Sequence, residues 1–299
     1  MKPFVYLPLW FFRTRVLGRK IPLQSVVFIS DKCNLKCRHC TFYAKKDAVV
    51  RTYAAIRDDL EYCHAQGSRF VDFEGGEPTL WRDGEHDLNS LVRLAKQIGF
   101  YSATVTTNAT RPFKGLEADS IWVSMDGVGA THDAIRGEGT FARLVENIEG
   151  CGHPRVSVNM VVNALNHTAV DAAIDFAKKH PNIESIAINL LTPFKGTEEL
   201  ELDDATRDAV LDRVIARKKR GDPIMNSLSG LKFMRRRASA KYCWMTNFVM
   251  NDGRRLPECN GKAAGLCDRC GFCMAGEMAS VMTLKPETLL AGLKLRVGG

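Results

Sequence analysis

Between about residues 25 and 220, short runs rich in β-branched and aromatic residues alternate with amphipathic helical stripes, and that rhythm restricts the chain to an α/β architecture. The strand candidates are Val26 to Ile29, Phe70 to Phe73, Ala103 to Val105, Ile121 to Val123, Val156 to Val162 and Ile186 to Leu191. Between them, Tyr53, Ile56, Leu60 and Cys63 recur on one helical face and stop at Gly67, while Leu88, Leu91, Ala95 and Ile98 stop at Gly99. Phe141, Leu144, Val145 and Ile148 follow a candidate N-cap at Thr140 and end near Gly150. Val170, Ile174 and Ala177 precede a break at His180-Pro181, and Val210, Leu211, Val214 and Ile215 follow Asp203 and Asp204.

Strands joined by helical crossovers pair in parallel, so the expected fold is a partial (β/α)6 TIM-like barrel with a small cysteine-rich C-terminal extension. One link, 108–120, contains Pro112 and Gly115 and leaves little room for a helix. The alternation stops at Gly221-Asp222-Pro223. The expected organisation is therefore an apolar and basic segment over 1–22, a core domain over 23–221 and an extension over 222–299.

The chain has ten cysteines in 299 residues. A chain of this length buries a full core without disulfide staples, which favours metal or redox chemistry for closely spaced thiols and a reducing cytoplasm as their compartment. In α/β sheets chemistry collects where the loops leave the carboxyl ends of the strands. The segment after the first strand there is a C-x3-C-x2-C loop, Cys33, Cys37 and Cys40, with His39 before the last cysteine. Structural zinc requires four ligands, and the next cysteine, Cys63, lies on a helix's buried stripe. A [4Fe–4S] cubane held by three cysteines keeps its fourth iron open to chelate a substrate.

This loop resembles the signature of the radical SAM superfamily, and further segments extend the resemblance. Gly75-Gly76-Glu77-Pro78, after the second strand, is similar to the family's GGEP motif; there the resemblance implies that Gly75, Gly76 and Glu77 hold the amino group of S-adenosylmethionine. Thr106-Thr107-Asn108 ends the third strand where the family has Thr-Asn-Gly, with Ala109 in place of the glycine, a change expected to reshape the turn. Ser124-Met125-Asp126-Gly127 ends the fourth strand like the family's S-x-D-G, and the Arg136-Gly137 step follows. The resemblance implies cofactor contacts for His39, Asn108, Ser124, Asp126, Arg136 and Asn163, with Ser124 near the ribose or methionyl portion and Arg136 near the carboxylate. It also implies reductive cleavage of S-adenosylmethionine to a 5′-deoxyadenosyl radical, which modifies a substrate by hydrogen abstraction or addition, with an electron donor such as flavodoxin or ferredoxin.

Half of the cysteines, Cys243, Cys259, Cys267, Cys270 and Cys273, fall after residue 221. The C-x2-C-x2-C run with Cys243 or Cys259 as a fourth ligand would close a second, auxiliary [4Fe–4S] cluster, or hold structural zinc. Cys243, Gly253 and Cys259 resemble the start of SPASM or twitch extensions, although the glycine-to-cysteine gap is one residue longer. The ending, Cys267 through Glu277, loosely resembles adenosylhopane-synthase-like radical SAM enzymes, which implies a hydrophobic, lipid-like substrate. A peptide substrate stands beside it. Cys63 and Cys151 read as core or near-surface thiols.

The 42 lysines and arginines outnumber 34 aspartates and glutamates, a net charge of +8. No aromatic-interleaved basic stripe accompanies this excess, so no nucleic acid is expected. Arg217 to Arg220 reads as a solvated helix C-terminus, and Arg235 to Arg237 as a face for an acidic substrate or donor. Phe4 to Phe12, followed by Arg13, Arg15, Arg19 and Lys20, makes a poor signal peptide; it either docks on the protein or makes peripheral membrane contact. The rival to an enzyme is a zinc-stabilised, basic binding protein in which both cysteine groups are structural.

Overall fold

The computed structural model describes residues 2–41, 47–238 and 240–288. In chain order its elements are α1 (Pro3–Arg15), β1 (Gln24–Ser30), α2 (Tyr53–Gln66), β2 (Phe70–Gly75), a small hairpin of β3 (Arg82–Asp83) and β4 (His86–Asp87), α3 (Leu88–Ile98), β5 (Ser102–Thr107) and β6 (Ser120–Ser124). There follow α4 (Ala130–Arg136), α5 (Thr140–Gly150), β7 (Val156–Val162), α6 (Val170–Lys179), β8 (Ser185–Leu190), α7 (Asp204–Lys219), α8 (Leu228–Arg235), β9 (Thr246–Val249), β10 (Arg255–Leu256), α9 (Asn260–Ala263) and α10 (Cys273–Met282).

The six anticipated strands pair in parallel and in sequence order, β1-β2-β5-β6-β7-β8, the arrangement a partial barrel requires. Alternation along each strand divides the side chains between two faces. Val27, Ile29, Val71, Phe73, Val105, Val123, Val158 and Ile188 pack outward against helical residues that include Ile56, Leu60, Leu91, Leu144 and Ile174. Each such side chain contributes roughly 1.5–3 kcal/mol on burial. Val26 and Phe28 face the other way and join Met250, Phe248 and Leu256 in a separate cluster on the concave side.

Gly67 and Gly99 end α2 and α3 in the left-handed region, at φ 117° and 111°, as their positions after the apolar stripes suggest. Thr140 is not an N-cap but the first residue of α5. The cap is supplied from α4 by Asp133, whose carboxylate accepts from Phe141 N at 2.8 Å and Gly139 N at 2.9 Å. A donor-acceptor pair eight residues apart leaves no local signature of the S/T-x-x-E kind.

The segment after residue 221 returns to the same sheet. β9 pairs in parallel with β1, from Gln24↔Thr246 to Val27↔Val249, and β10 folds back antiparallel on β9. This strand lacks an apolar run because its buried amide is satisfied by side chains: Ser25 Oγ donates to Asn247 Oδ1 at 2.6 Å. α8 and α10 pack closely where Gly230 faces Gly276. The remainder of the anticipated extension, beyond residue 288, lies outside the described residues.

Neither basic run is a free patch. Arg217 is buried and paired with Asp222 at 2.5 Å, Asp171 at 3.2 Å and Asp175, tying α7 to α6, and Lys218 donates to the Ile224 carbonyl. Only Lys219 and Arg220 of that run are exposed. Arg235 pairs with Asp208 at 2.7 Å and Asp212 at 3.1 Å, and Arg237 pairs with Asp204. These partners lie on α7, so the arginines join α8 to it.

Candidate functional site

The carboxyl ends of five consecutive strands bring the anticipated residues together. β1 runs into the cysteine loop, β2 into Gly75-Gly76-Glu77, β5 into Asn108, β6 into Asp126 and β7 into Asn163. The turn after β2 is pressed onto the cysteine loop: Gly76 N donates to Ser30 O at 2.8 Å and Glu77 N to Lys32 O at 2.9 Å. A Cβ on Gly75 would lie 2.2 Å from Ser30 O, and one on Gly76 2.3 Å from Lys32 O. Glycine is therefore required at both positions to let two loops touch, before any ligand is considered.

Glu77 is 1% exposed and binds its own chain. Its Oε1 accepts from Thr79 Oγ1 and Thr107 Oγ1, both at 2.7 Å, and its Oε2 from Asn108 N at 2.7 Å, which locks the end of β5 to the turn after β2. Asn108 in turn reaches Asn34 Oδ1 at 2.9 Å and lies 4.0 Å from Cys33 Sγ. Ala109 holds φ 52° with no exposed surface. The turn thus keeps the left-handed backbone that a glycine would take, rather than the reshaped one anticipated from the replacement, because Asn147 Nδ2 fixes the Ala109 carbonyl at 2.8 Å.

Asp126 is the hub on the other side. Arg136 Nε donates to its Oδ2 at 2.6 Å, His39 Nε2 lies 3.5 Å from the same oxygen, and Val161 N donates to Oδ1 at 3.0 Å. Burial raises its pKa, but the positive charge of Arg136, the neighbouring His39 ring and the Val161 bond outweigh burial and hold it below the ordinary value. Burial lowers the pKa of His39 despite Asp126, so the ring is neutral near pH 7. Arg136 Nη1 also points at Cys37 Sγ, 3.9 Å away, and burial pushes the Cys37 thiol up to about 11 against the pull of that guanidinium. Asn163 is buried within the loop after β7, where its Oδ1 accepts from Leu165 N at 2.9 Å and its Nδ2 donates to Val161 O at 3.2 Å. Ser124 ends β6 opposite Asn159.

The donor set fits an iron-sulfur cluster. All ten cysteines are free, and Cys33, Cys37 and Cys40 share one loop with a guanidinium and an amide directed at two of the sulfurs. Tetrahedral zinc draws its sulfurs to within about 4 Å of one another. Among the described residues no three cysteines, histidines or carboxylates converge on a single ion. A cubane instead takes one thiolate at each of three irons, which the three cysteines of this loop can supply.

A model of the Radical SAM superfamily matches residues 27–177, just over half of the chain. The chain belongs to that superfamily. A radical SAM enzyme uses a [4Fe–4S] cluster and S-adenosylmethionine, and these are its cofactors. Among curated proteins it is 26% identical to Fe-coproporphyrin III synthase of Methanosarcina barkeri over 238 residues, covering 69% of this chain and 58% of that one. It is also 26% identical to the mycofactocin maturase MftC of Mycolicibacterium smegmatis, covering 54% of this chain and 42% of that one. The chain thus spans about three fifths, or less, of these relatives. Among solved structures, Streptococcus suis SuiB bound to S-adenosylmethionine superposes with a TM-score of 0.64 at 18% identity, covering 86% of this chain and 66% of that one. SuiB bound to its precursor peptide SuiA gives 0.61 at 17%, covering 84% and 64%. At these identities the likeness is one of fold.

The later cysteines of this radical SAM enzyme gather at the same mouth. Gly271 lies on the end of β8: Leu190 N donates to Gly271 O at 2.9 Å, Gly271 N to Thr192 Oγ1 at 2.9 Å, and Cys273 N to Asn189 Oδ1 at 2.7 Å. Cys243 donates to Cys259, which with the Lys262 and Gly261 backbone N–H groups holds Cys259 down at about 6 and pushes Cys243 up. Cys267 and Cys270 act electrostatically on the same pair. Cys273 lies at the start of α10, buried among core residues, its thiol pushed up to about 12 chiefly by burial and by Glu277, with Cys270 also acting on it. Cys63 and Cys151 are buried in the core.

Several site residues carry no sequence signal of their own. Asp31 is 2% exposed, accepts from Val49 N at 2.5 Å and from Asn251 Nδ2 at 2.9 Å, and so fastens the cysteine loop to the β9–β10 turn. Asn166 Nδ2 donates to the Asp126 carbonyl at 3.0 Å. Glu74, beside the GGE turn, alternates with the outward Phe73 and so lies on the concave face, where burial and then Asp72 raise its carboxyl to about 7. A preference for alternating faces would have placed Glu74 inside, but nothing local distinguishes it from a turn residue.

Proposed function

We propose that this radical SAM enzyme holds its catalytic cluster on Cys33, Cys37 and Cys40 and binds S-adenosylmethionine against the loops that follow β2, β5, β6 and β7. When bound, the cluster and S-adenosylmethionine supply a 5′-deoxyadenosyl radical through one-electron reduction by a donor such as flavodoxin or ferredoxin. Gly75, Gly76 and Glu77 form the rim for the amino group. His39, Asn108, Ser124, Asp126, Arg136 and Asn163 line or brace the remainder. Within this set, Asp126 acts by fixing Arg136 and His39 beside the cluster loop, because its own oxygens are engaged. The observation that carries the reading is the joining of the cysteine loop to the GGE turn by Gly76 N–Ser30 O and Glu77 N–Lys32 O.

A second, auxiliary [4Fe–4S] cluster is assigned to Cys243, Cys259, Cys267 and Cys270. The mutual influence of these four thiols supports that set, and Cys273, which Cys270 also influences, is taken as the remaining cysteine because it is buried among core residues beside Asn189 and Glu277.

The substrate occupies the concave face of the barrel. Asp72, which accepts from Gln24 Nε2, and Glu74 lie there and favour a substrate bearing N–H or ammonium groups over a pure hydrocarbon, since carboxyl groups facing hydrocarbon are costly to bury. The likeness to the MftC maturase and to SuiB, solved with its precursor peptide, supports a peptide. A lipid-like substrate is the second reading, favoured by Val26, Phe28 and Met250 on the same face.

Anaerobic reconstitution tests the assignment. About eight irons per chain and dithionite-dependent release of 5′-deoxyadenosine are expected, and C33A/C37A/C40A should retain about four irons and no cleavage. Stoichiometric zinc without cleavage, the behaviour of a basic binding protein, would overturn it. Faster 5′-deoxyadenosine release on adding a candidate peptide rather than a candidate lipid would settle the substrate class.

A further inference from the structure

The helix α1 is apolar on two opposite faces, and only one of them is used by the fold. Tyr6, Trp10 and Thr14, four residues apart, are buried against Trp244, Met245, Met278 and Met282 or beside them. Trp10 Nε1 donates to the Ile21 carbonyl at 2.8 Å, and the Tyr6 ring meets Tyr101 edge-on at 6.0 Å beneath the Arg69 guanidinium at 4.4 Å. On the other side Phe4, Pro8 and Phe12, also four residues apart, are exposed, as are Val5, Val16 and Leu17. Phe4 is 74% exposed, Val16 64% and Phe12 49%. The other exposed large apolar side chains among the described residues, Val49, Val50, Phe272 and Leu284, do not continue this patch along the chain.

The charges carried by α1 and the residues flanking it have one sign. Lys2, Arg13, Arg15, Arg19 and Lys20 are all exposed, and residues 1–20 contain no aspartate or glutamate. A helix of 13 residues is about 20 Å long, too short to span a bilayer, and no helix among the described residues is long and apolar enough to do so. An apolar stripe flanked by exposed cations is instead the pattern of a helix lying in the headgroup plane, where burial of the stripe and attraction to anionic lipid add together.

We propose that the outer face of α1 docks on an anionic phospholipid surface. The geometry fixes the orientation. The inner face of α1 touches residues just before the strands begin: Gly67 and Arg69 precede β2, Tyr101 precedes β5 and Met245 precedes β9. Docking through α1 therefore turns the amino ends of the strands to the lipid and leaves the cysteine loops, at the opposite ends, facing water and any soluble donor or peptide. The proposal stands independently of the chemistry assigned to those loops.

Co-sedimentation of the full chain with vesicles tests it. The chain should partition onto phosphatidylcholine vesicles containing roughly one third phosphatidylglycerol at least about ten-fold better than onto phosphatidylcholine alone. F4S/F12S should lose about ten-fold of that binding, as should R13Q/R15Q, and about 0.5 M salt should weaken it in the wild type. Both variants should keep the wild-type melting temperature, since these side chains are exposed. Equal binding to neutral and anionic vesicles, or an F4S/F12S variant that sediments like the wild type, would overturn the proposal. So would gel filtration showing a dimer that F4S/F12S converts to a monomer in a chain that ignores vesicles, because the face would then belong to a second copy.

Discussion

Glu74, near the end of β2, and Asp126, just after β6, are carboxyl groups at the same mouth of the sheet with opposite electrostatic settings. Asp126 is held below its ordinary pKa, so the stability it contributes is present above pH 4 or so and is lost as pH falls through its depressed value. D126N should leave Arg136 buried without a counter-charge and reduce unfolding free energy by about 3–5 kcal/mol, read by denaturant titration. Glu74 is raised from 4.5 to about 7 by burial and Asp72, so the folded chain binds its proton more tightly than the unfolded chain. Wild-type stability should therefore decline as pH rises from 4.5 to 7, with a slope of at most about 1.4 kcal/mol per pH unit from this group, and E74Q should flatten the decline in thermal melts at pH 5 and pH 8. The GGEP and S-x-D-G residues are legible because their spacing is local. Their partners Asp31, Asn166 and Asp133 are not, because each acts on a backbone group supplied by another loop or helix.

Among the elements, the six parallel strands are legible as apolar runs, whereas β9 is not. Its Asn247 is buried by bonding to Ser25, a residue 222 positions away, so no window of local sequence contains the pairing. The cysteine segment on β8 depends on Gly271 in the same way. A Cβ there would lie 1.9 Å from the Leu190 carbonyl, so the loop can reach the sheet only with glycine. G271A should displace Cys270 and lower reconstituted iron toward about four per chain while leaving the cluster on Cys33, Cys37 and Cys40, as measured by iron content and Mössbauer spectra. Unchanged iron would show that the auxiliary ligands do not depend on this contact.

At the scale of the whole molecule, the formal charge of +8 is partly internal: Arg217, Arg235 and Arg237 are paired with acids of α6, α7 and the segment after it. The charges that stay exposed can still steer an acidic flavodoxin, so flavodoxin-dependent 5′-deoxyadenosine release should fall several-fold between about 0.05 and 0.5 M salt. Dithionite-dependent release should change much less, because a small reductant needs no docking surface. The sequence by itself determined the α/β alternation, the order of the parallel strands and the cysteine loop at a strand's carboxyl end, since periodicity and close spacing are properties of neighbours along the chain. Only the tertiary structure decided that the later residues rejoin the sheet through β9, that Cys273 is buried beside Asn189 and Glu277, and which face of α1 remains exposed. Those outcomes depend on close approaches and ion pairs between distant segments, whose energies exist only once the backbone has brought them together.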